Sequence, residues 1–182
     1  MSRKYKMHDK QAMYFISFAT IQWIDVFVRE DYFGIMAESL NYCIQNKGMV
    51  VYGYCIMPSH VHLIFRDLNK ELSKLLKELK TFTSKKLALA IAENPTESRR
   101  EWILKMMGEA AAELSNVKHY QFWQQHNKPI ELWSNSVIDQ KLDYLHNNPV
   151  EAGFVIEPEH WKYSSAGDYA GIKGEVKVCL LE

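Results

Sequence analysis

Residues 57–65 read Met57-Pro58-Ser59-His60-Val61-His62-Leu63-Ile64-Phe65. In an extended chain, residues two apart share a face, so His60 and His62 project together while Val61 and Leu63 point into a core. The run just before it, Met49 to Ile56, is β-branched and aromatic, and Met57-Pro58-Ser59 is a turn. The two runs predict an antiparallel hairpin whose second strand carries two imidazoles on one side. Two imidazoles at that spacing can share one divalent cation. The same pattern also describes two polar residues on the wet face of a half-buried strand.

On either side of the hairpin the pattern alternates between strand and helix. Ala12 to Thr20 is aromatic and β-branched and predicts a strand buried on both faces. From Asp31 to Asn46 the apolar residues Phe33, Met36, Leu40 and Ile44 form a helical stripe, closed by Gly48. Asn69 is the expected cap of a long helix over 69–92, with Leu72, Leu75, Leu76, Leu79 and Phe82 on its apolar side. Lys70, Lys74, Lys77 and Lys85 fall on the opposite side, whereas Lys86 falls on the apolar side and must snorkel or serve a site. Residues 93–118 read as a Glu-rich helical insertion, and Gln121 to Trp133 as a short strand and loop broken by Pro129. Ser136-Val137-Ile138-Asp139 resembles a capping box opening a helix that Pro149 should close, and Val176 to Leu181 is one more candidate strand.

Composition bounds the function classes. A chain of 182 residues, 47% hydrophobic and 13% aromatic, can bury a core as a single domain, which excludes general disorder. Its 22 basic residues balance 22 acidic ones, which argues against a non-specific nucleic-acid coat. The balance is uneven along the chain: six lysines stand against Glu71 and Glu78 in 68–92, and six acids against three lysines in 151–182. Cys43, Cys55 and Cys179 show no CxxC spacing, which fits a reducing interior and no zinc ribbon. The apolar stretch from Ala12 to Val28 follows Arg3, Lys4 and Lys6, but Gln22 and Asp25 interrupt it and no cleavage site follows. The expectation is a cytoplasmic protein without a membrane span.

A second segment bears on the histidines: Lys141-Leu142-Asp143-Tyr144-Leu145-His146-Asn147-Asn148-Pro149-Val150. On a helix, Ile138, Leu142 and Leu145 make a buried stripe, with Tyr144 and Asn148 four apart at its margin. A tyrosine hydroxyl there can reach a substrate, and the Asn148 amide oxygen can complete a hard-metal site. Equally, Tyr144 could be a rim aromatic and Asn147-Asn148 an ordinary helix end.

Together the two segments resemble the single-tyrosine HUH transposases, and more closely the REP-associated tyrosine transposases. The resemblance rests on His60-Val61-His62 and on Asp143-Tyr144-Leu145-His146-Asn147-Asn148-Pro149-Val150-Glu151-Ala152-Gly153. Pro158-Glu159-His160-Trp161-Lys162-Tyr163-Ser164-Ser165-Ala166 also looks like that family, and the likeness runs from about Tyr14 to Gly171. It implies an α+β, ferredoxin-like antiparallel sheet with helices packed on one face, and a tyrosine-bearing helix facing the HUH strand. It further implies Tyr144 as the nucleophile, and His60, His62 and Asn148 as ligands of Mg²⁺ or Mn²⁺. The substrate would be single-stranded DNA beside a hairpin, cut to a 5′-phosphotyrosine and a free 3′-hydroxyl. Relatives act as monomers or as homodimers.

The chemistry agrees with that implication. A phenol of pKa about 10 is a weak nucleophile at neutral pH, so attack needs activation and a polarised phosphate. DNA contacts are expected from Lys70, Lys74, Lys77, Lys85 and Lys86, and from Arg3, Lys4 and Lys6. His146 and His126 are candidates to support the site or contact phosphate. Tyr120, Phe122 and Trp123 are candidates for stacking unpaired bases or for core packing. Two other readings compete. A histidine-triad nucleotide hydrolase needs a histidine where Ile64 stands, and a non-catalytic structured nucleic-acid binder would use the same fold without cleavage.

Overall fold

A computed structural model describes residues 7–112 and 120–181. Four strands, β1 (Tyr14–Ala19), β2 (Met49–Ile56), β3 (His60–Asp67) and β4 (Ile130–Glu131), form one sheet in the order β2-β3-β1-β4. Every pairing is antiparallel. Helix α1 (Glu30–Asn46) joins β1 to β2, and α2 (Leu72–Glu93) and α3 (Arg100–Ala112) lie between β3 and β4. Helix α4 (Asn135–Glu151) and the short α5 (Ala166–Tyr169) follow. This is the expected α+β, ferredoxin-like arrangement.

The alternation of side chains along the strands builds two cores. Tyr14, Ile16 and Phe18 of β1 and Val61, Leu63 and Phe65 of β3 meet Met36 and Leu40 of α1 and Leu72, Leu76 and Leu79 of α2. Phe15, Cys55 and Ile64 point the other way and meet Leu142 and Leu145 of α4. Helices therefore cover both faces of the sheet. The one-face expectation describes α1 and α2, while α4 lies against the opposite side. Gly53 makes that possible: a Cβ there would stand 2.8 Å from Leu142 Cδ1 and 3.3 Å from Leu145 Cδ2.

Several local expectations are corrected. Asp67, rather than Asn69, steers the chain into α2, since its carboxylate accepts from the backbone N–H of Asn69 and of Glu71. Asn69 donates its amide to the Lys47 carbonyl instead. Phe82 is exposed, and Thr83 takes the inward position, accepting from the Trp123 indole at 3.0 Å. Ser134, rather than Ser136, caps α4, accepting from the Val137 N–H. Pro149 lies inside α4, which ends near Gly153 in the left-handed region (φ 75°). A proline forfeits one ladder bond, and here Pro149 is buried. Of the insertion, α2 extends to Glu93 and α3 supplies 13 residues, while 113–119, including Glu113 and Lys118, lie outside the described residues.

Residues 176–181 form no strand, although Cys179 N–H donates to the Val51 carbonyl. The neighbouring stretch of β2 is bonded by Tyr163, which accepts from Ile56, and by Ser165, which donates to Tyr54. Glu97, wholly buried, accepts from Arg29 and Arg99 and so ties the start of α3 to the start of α1.

Candidate active site

Pairing register sets the floor of the site. His62 lies opposite Ser17 on β1 and Cys55 on β2, and His60 lies opposite Ala19. These small neighbours leave the two imidazoles standing above the sheet, with ring centroids 4.7 Å apart. Phe15 stacks on His62 at 5.5 Å and an interplanar angle of 21°, which fixes that ring.

Helix α4 closes the site from above. Tyr144 stands edge-on to His62 at 5.2 Å and to Phe15 at 5.9 Å. One turn later, Asn148 Oδ1 lies 3.2 Å from His60 Nε2, and Ser59 Oγ lies 3.2 Å from His60 Nδ1. The structure thus brings together His60, His62, Tyr144 and Asn148 within one chain, from elements more than 80 residues apart in sequence. Tyr144 remains 43% exposed.

Both imidazoles are held neutral. Burial, reinforced by neighbouring His60, pushes His62 down to about 3. Burial also lowers His60, against the opposing effects of Asn148 and Asp25. Both ring nitrogens of His62 are buried and lack a hydrogen-bond partner among the described residues. Two neutral imidazoles, the His62 nitrogens unpartnered and His60 Nε2 beside an amide oxygen, fit a small divalent cation. Among the described residues no cluster of three His, Cys, Asp or Glu side chains is placed to hold an ion. A cation here would therefore need the Asn148 amide.

A cavity of about 350 Å³ opens beside His60, lined by Asp25, Ser59, Asn148, Glu151 and Phe154 among others. Lys141, one turn before Tyr144, holds its ammonium 5.7 Å from the ring centroids of both Tyr144 and Phe15. The same i, i+3 spacing that relates helix neighbours marks Lys141 in the sequence. Trp23 packs edge-on against His60 at 5.4 Å. Its only sequence signal is its place beside Gln22 and Asp25, the polar interruptions of an apolar run.

Other expected site residues lie elsewhere. Lys70, Lys74, Lys77, Lys85 and Lys86 sit on or beside α2, across the sheet from the imidazoles, with Lys74 paired to Glu71 and Lys86 to Glu38. Lys86 thus snorkels to α1. Arg3, Lys4 and Lys6 lie outside the described residues. His146 turns away from the cluster, its Nε2 2.8 Å from Ser165 Oγ and its ring against Tyr169. His126 is exposed in the segment leading to β4. Phe122 and Trp123 are core residues, packing with Phe27 and Phe18.

Residues 10–120 match the family model of IS200-like transposases. The chain belongs to this family. The matched region of this IS200-like transposase contains the HUH strand and ends before α4. A REP-associated tyrosine transposase bound to a REP hairpin is similar in structure, with a TM-score of 0.66 and 14% identity over 98% of this chain and 92% of that one. A Deinococcus radiodurans r1 protein assigned as a transposase gives a TM-score of 0.46 and 16% identity, covering 80% of this chain and 97% of that one. No curated protein matches the chain. The first likeness carries the fold: a four-stranded antiparallel sheet with its helices. Among the described residues no helix is long and apolar enough to cross a membrane.

Proposed function

We propose that this protein cuts and rejoins single-stranded DNA beside hairpins, with Tyr144 as the nucleophile. The observation that carries the reading is Tyr144 edge-on to His62, with Asn148 against His60, all in one chain. Tyr144 Oη attacks the scissile phosphorus, the P–O3′ bond breaks, and the departing oxygen takes a proton to become a 3′-hydroxyl. The product is a 5′-phosphotyrosine, and attack by a 3′-hydroxyl reverses the step without a nucleotide cofactor.

His60, His62 and Asn148 would hold Mg²⁺ or Mn²⁺, and the nitrogen donors favour manganese. Such a cation, when bound, supplies positive charge to the phosphate oxygens as the bond changes hands. Phe15 orients His62, and Ser59 orients His60 through its Nδ1. Lys141 offers charge to the backbone of the strand entering beside Tyr144. Lys70, just before α2, and the α2 lysines Lys74, Lys77, Lys85 and Lys86, with Arg3 and Lys4, are assigned to DNA beyond the point of cleavage.

The test is incubation with labelled hairpin-bearing single strands from the DNA flanking the gene, in the presence of Mn²⁺. A covalent protein–DNA adduct is expected, and it disappears in Tyr144→Phe, in His60→Ala and on chelation. An adduct that survives Tyr144→Phe sinks the assignment. Mixing Tyr144→Phe with His60→Ala distinguishes attack within a chain, which leaves the mixture inactive, from attack on a partner's site, which restores the adduct. Binding by Tyr144→Phe should weaken with salt, and Lys77→Gln with Lys85→Gln should flatten that slope. Binding unaffected by chelation, with no adduct under any condition, would favour a non-catalytic binder.

A further inference from the structure

Trp23 has no place in the chemistry just described, yet it is set beside it under unusual constraint. Gln22 and Trp23 both occupy the left-handed region, at φ 49° and 57°. Bulky L-residues rarely adopt that conformation, and two in succession store backbone strain that the surrounding structure must hold. The surroundings do hold it. Thr20, fully buried, bonds to Ile24 and Ser59 through its hydroxyl. Phe27 N–H donates to the Pro58 carbonyl. Ile21, Ile24, Val26 and Phe27 are all buried, whereas Trp23 between them is 54% exposed. The loop is anchored at both ends and presents one indole to solvent beside His60.

The order of rings across the site gives that indole a direction. Trp23 touches His60, His60 touches His62, and His62 touches Tyr144, at centroid separations of 5.4, 4.7 and 5.2 Å. Tyr144 and Trp23 therefore stand at opposite ends of the pair of imidazoles. In an in-line displacement, the attacking and leaving oxygens lie on opposite sides of phosphorus. A strand attacked from the Tyr144 end directs its leaving 3′-oxygen, and the nucleotide that bears it, towards Trp23. Asp25, two residues after Trp23, lines the cavity of the site together with His60 and Asn148.

We propose that Trp23 is a stacking platform for the base of the nucleotide immediately 5′ of the scissile phosphate. This rests on the function proposed above. Trp23 is then a positioning residue with two consequences. It aligns the leaving oxygen before cleavage, and it retains the 3′-hydroxyl end afterwards, so that the same end is ready for rejoining. Any base offers a π-face, so stacking sets geometry more than sequence preference.

The test uses Trp23→Asn, because asparagine tolerates the left-handed turn while removing the ring, and Trp23→Phe as the conservative variant. Thermal melting checks that both fold. In the Tyr144→Phe background, 2-aminopurine is moved along the strand one position at a time. Fluorescence quenching is expected at one position, 5′ of the cut, lost in Trp23→Asn and kept in Trp23→Phe. With Tyr144 intact, Trp23→Asn should slow adduct formation about ten-fold or more, and an abasic nucleotide at that position should slow the native protein equally. Combining the two changes should add little. Quenching that persists without the indole, or fully multiplicative losses, would overturn the assignment. If the native protein forms no adduct, the proposed function fails, while the fluorescence scan still reports whether Trp23 stacks a base.

Discussion

His62 is the residue on which stability and the proposed function pull in opposite directions. Its two ring nitrogens are buried without a partner among the described residues, and an unsatisfied buried polar group costs about 1–3 kcal/mol. An apolar side chain of similar size removes that cost. His62→Leu should therefore melt at or above the native temperature in metal-free buffer while forming no covalent adduct. A loss of several degrees would mean that the imidazole is satisfied in a way this geometry does not contain. The two-residue period of a strand puts both histidines on one face and the four-residue period of a helix stacks Tyr144 on Asn148, whereas the roles proposed for them come from the resemblance to the HUH transposases. Trp23 was not legible, because its role depends on a left-handed backbone turn that no periodicity announces. His146 shares the motif with Tyr144, yet two residues further round a helix is the wrong side, and it faces Ser165.

At the scale of elements, the distance between α4 and β2 governs whether Tyr144 and Asn148 reach the imidazoles. Gly53 keeps that distance short, because Leu142 and Leu145 occupy the space a side chain would fill. Gly53→Ala should destabilise the fold by about 1–3 kcal/mol and slow adduct formation several-fold. Leu142→Ala in the same background should restore part of the rate by reopening that space, as a double-mutant cycle would report. If the two losses simply accumulate, the contact does not set the helix position. The strands and the long helices were legible because each carries a strong apolar period over many residues. Helix ends were less so. Asp67 replaces Asn69 as the anchor of α2, and Ser134 replaces Ser136 as the cap of α4, since neighbouring polar residues compete and tertiary packing chooses. Pro149 reads as a stop but lies within α4, where the Phe154 N–H bonds its carbonyl.

For the whole molecule, Glu97 links the insertion to the rest of the fold and makes that link sensitive to acid. Hydrogen bonds from Arg99, and then from Arg29, hold its carboxyl at about 2, below the ordinary 4.5. The folded value is the lower one, so the stabilisation is fully present above about pH 4.5 and is lost as pH falls towards about 2. The contribution is on the order of 3 kcal/mol. Glu97→Gln should lower stability at neutral pH and flatten the acid limb of a stability–pH curve, measured by denaturant unfolding at several pH values. An unchanged acid limb would place the titrating group elsewhere. In sequence, residues 93–118 read only as charged and helical, because neither composition nor period reveals that Glu97 is buried.

The bonds along β2 bear on how two copies could meet. Backbone groups of Val51, Tyr54 and Ile56 on its outer side are taken by Cys179, Ser165 and Tyr163 of the same chain. An exposed strand edge is the usual template for pairing with another molecule. Here that edge is already occupied from within, so a second copy cannot extend the sheet across β2 without first displacing the segments that carry Tyr163, Ser165 and Cys179. Any homodimer of this chain that leaves those segments in place must be built through side chains or through the short β4 side.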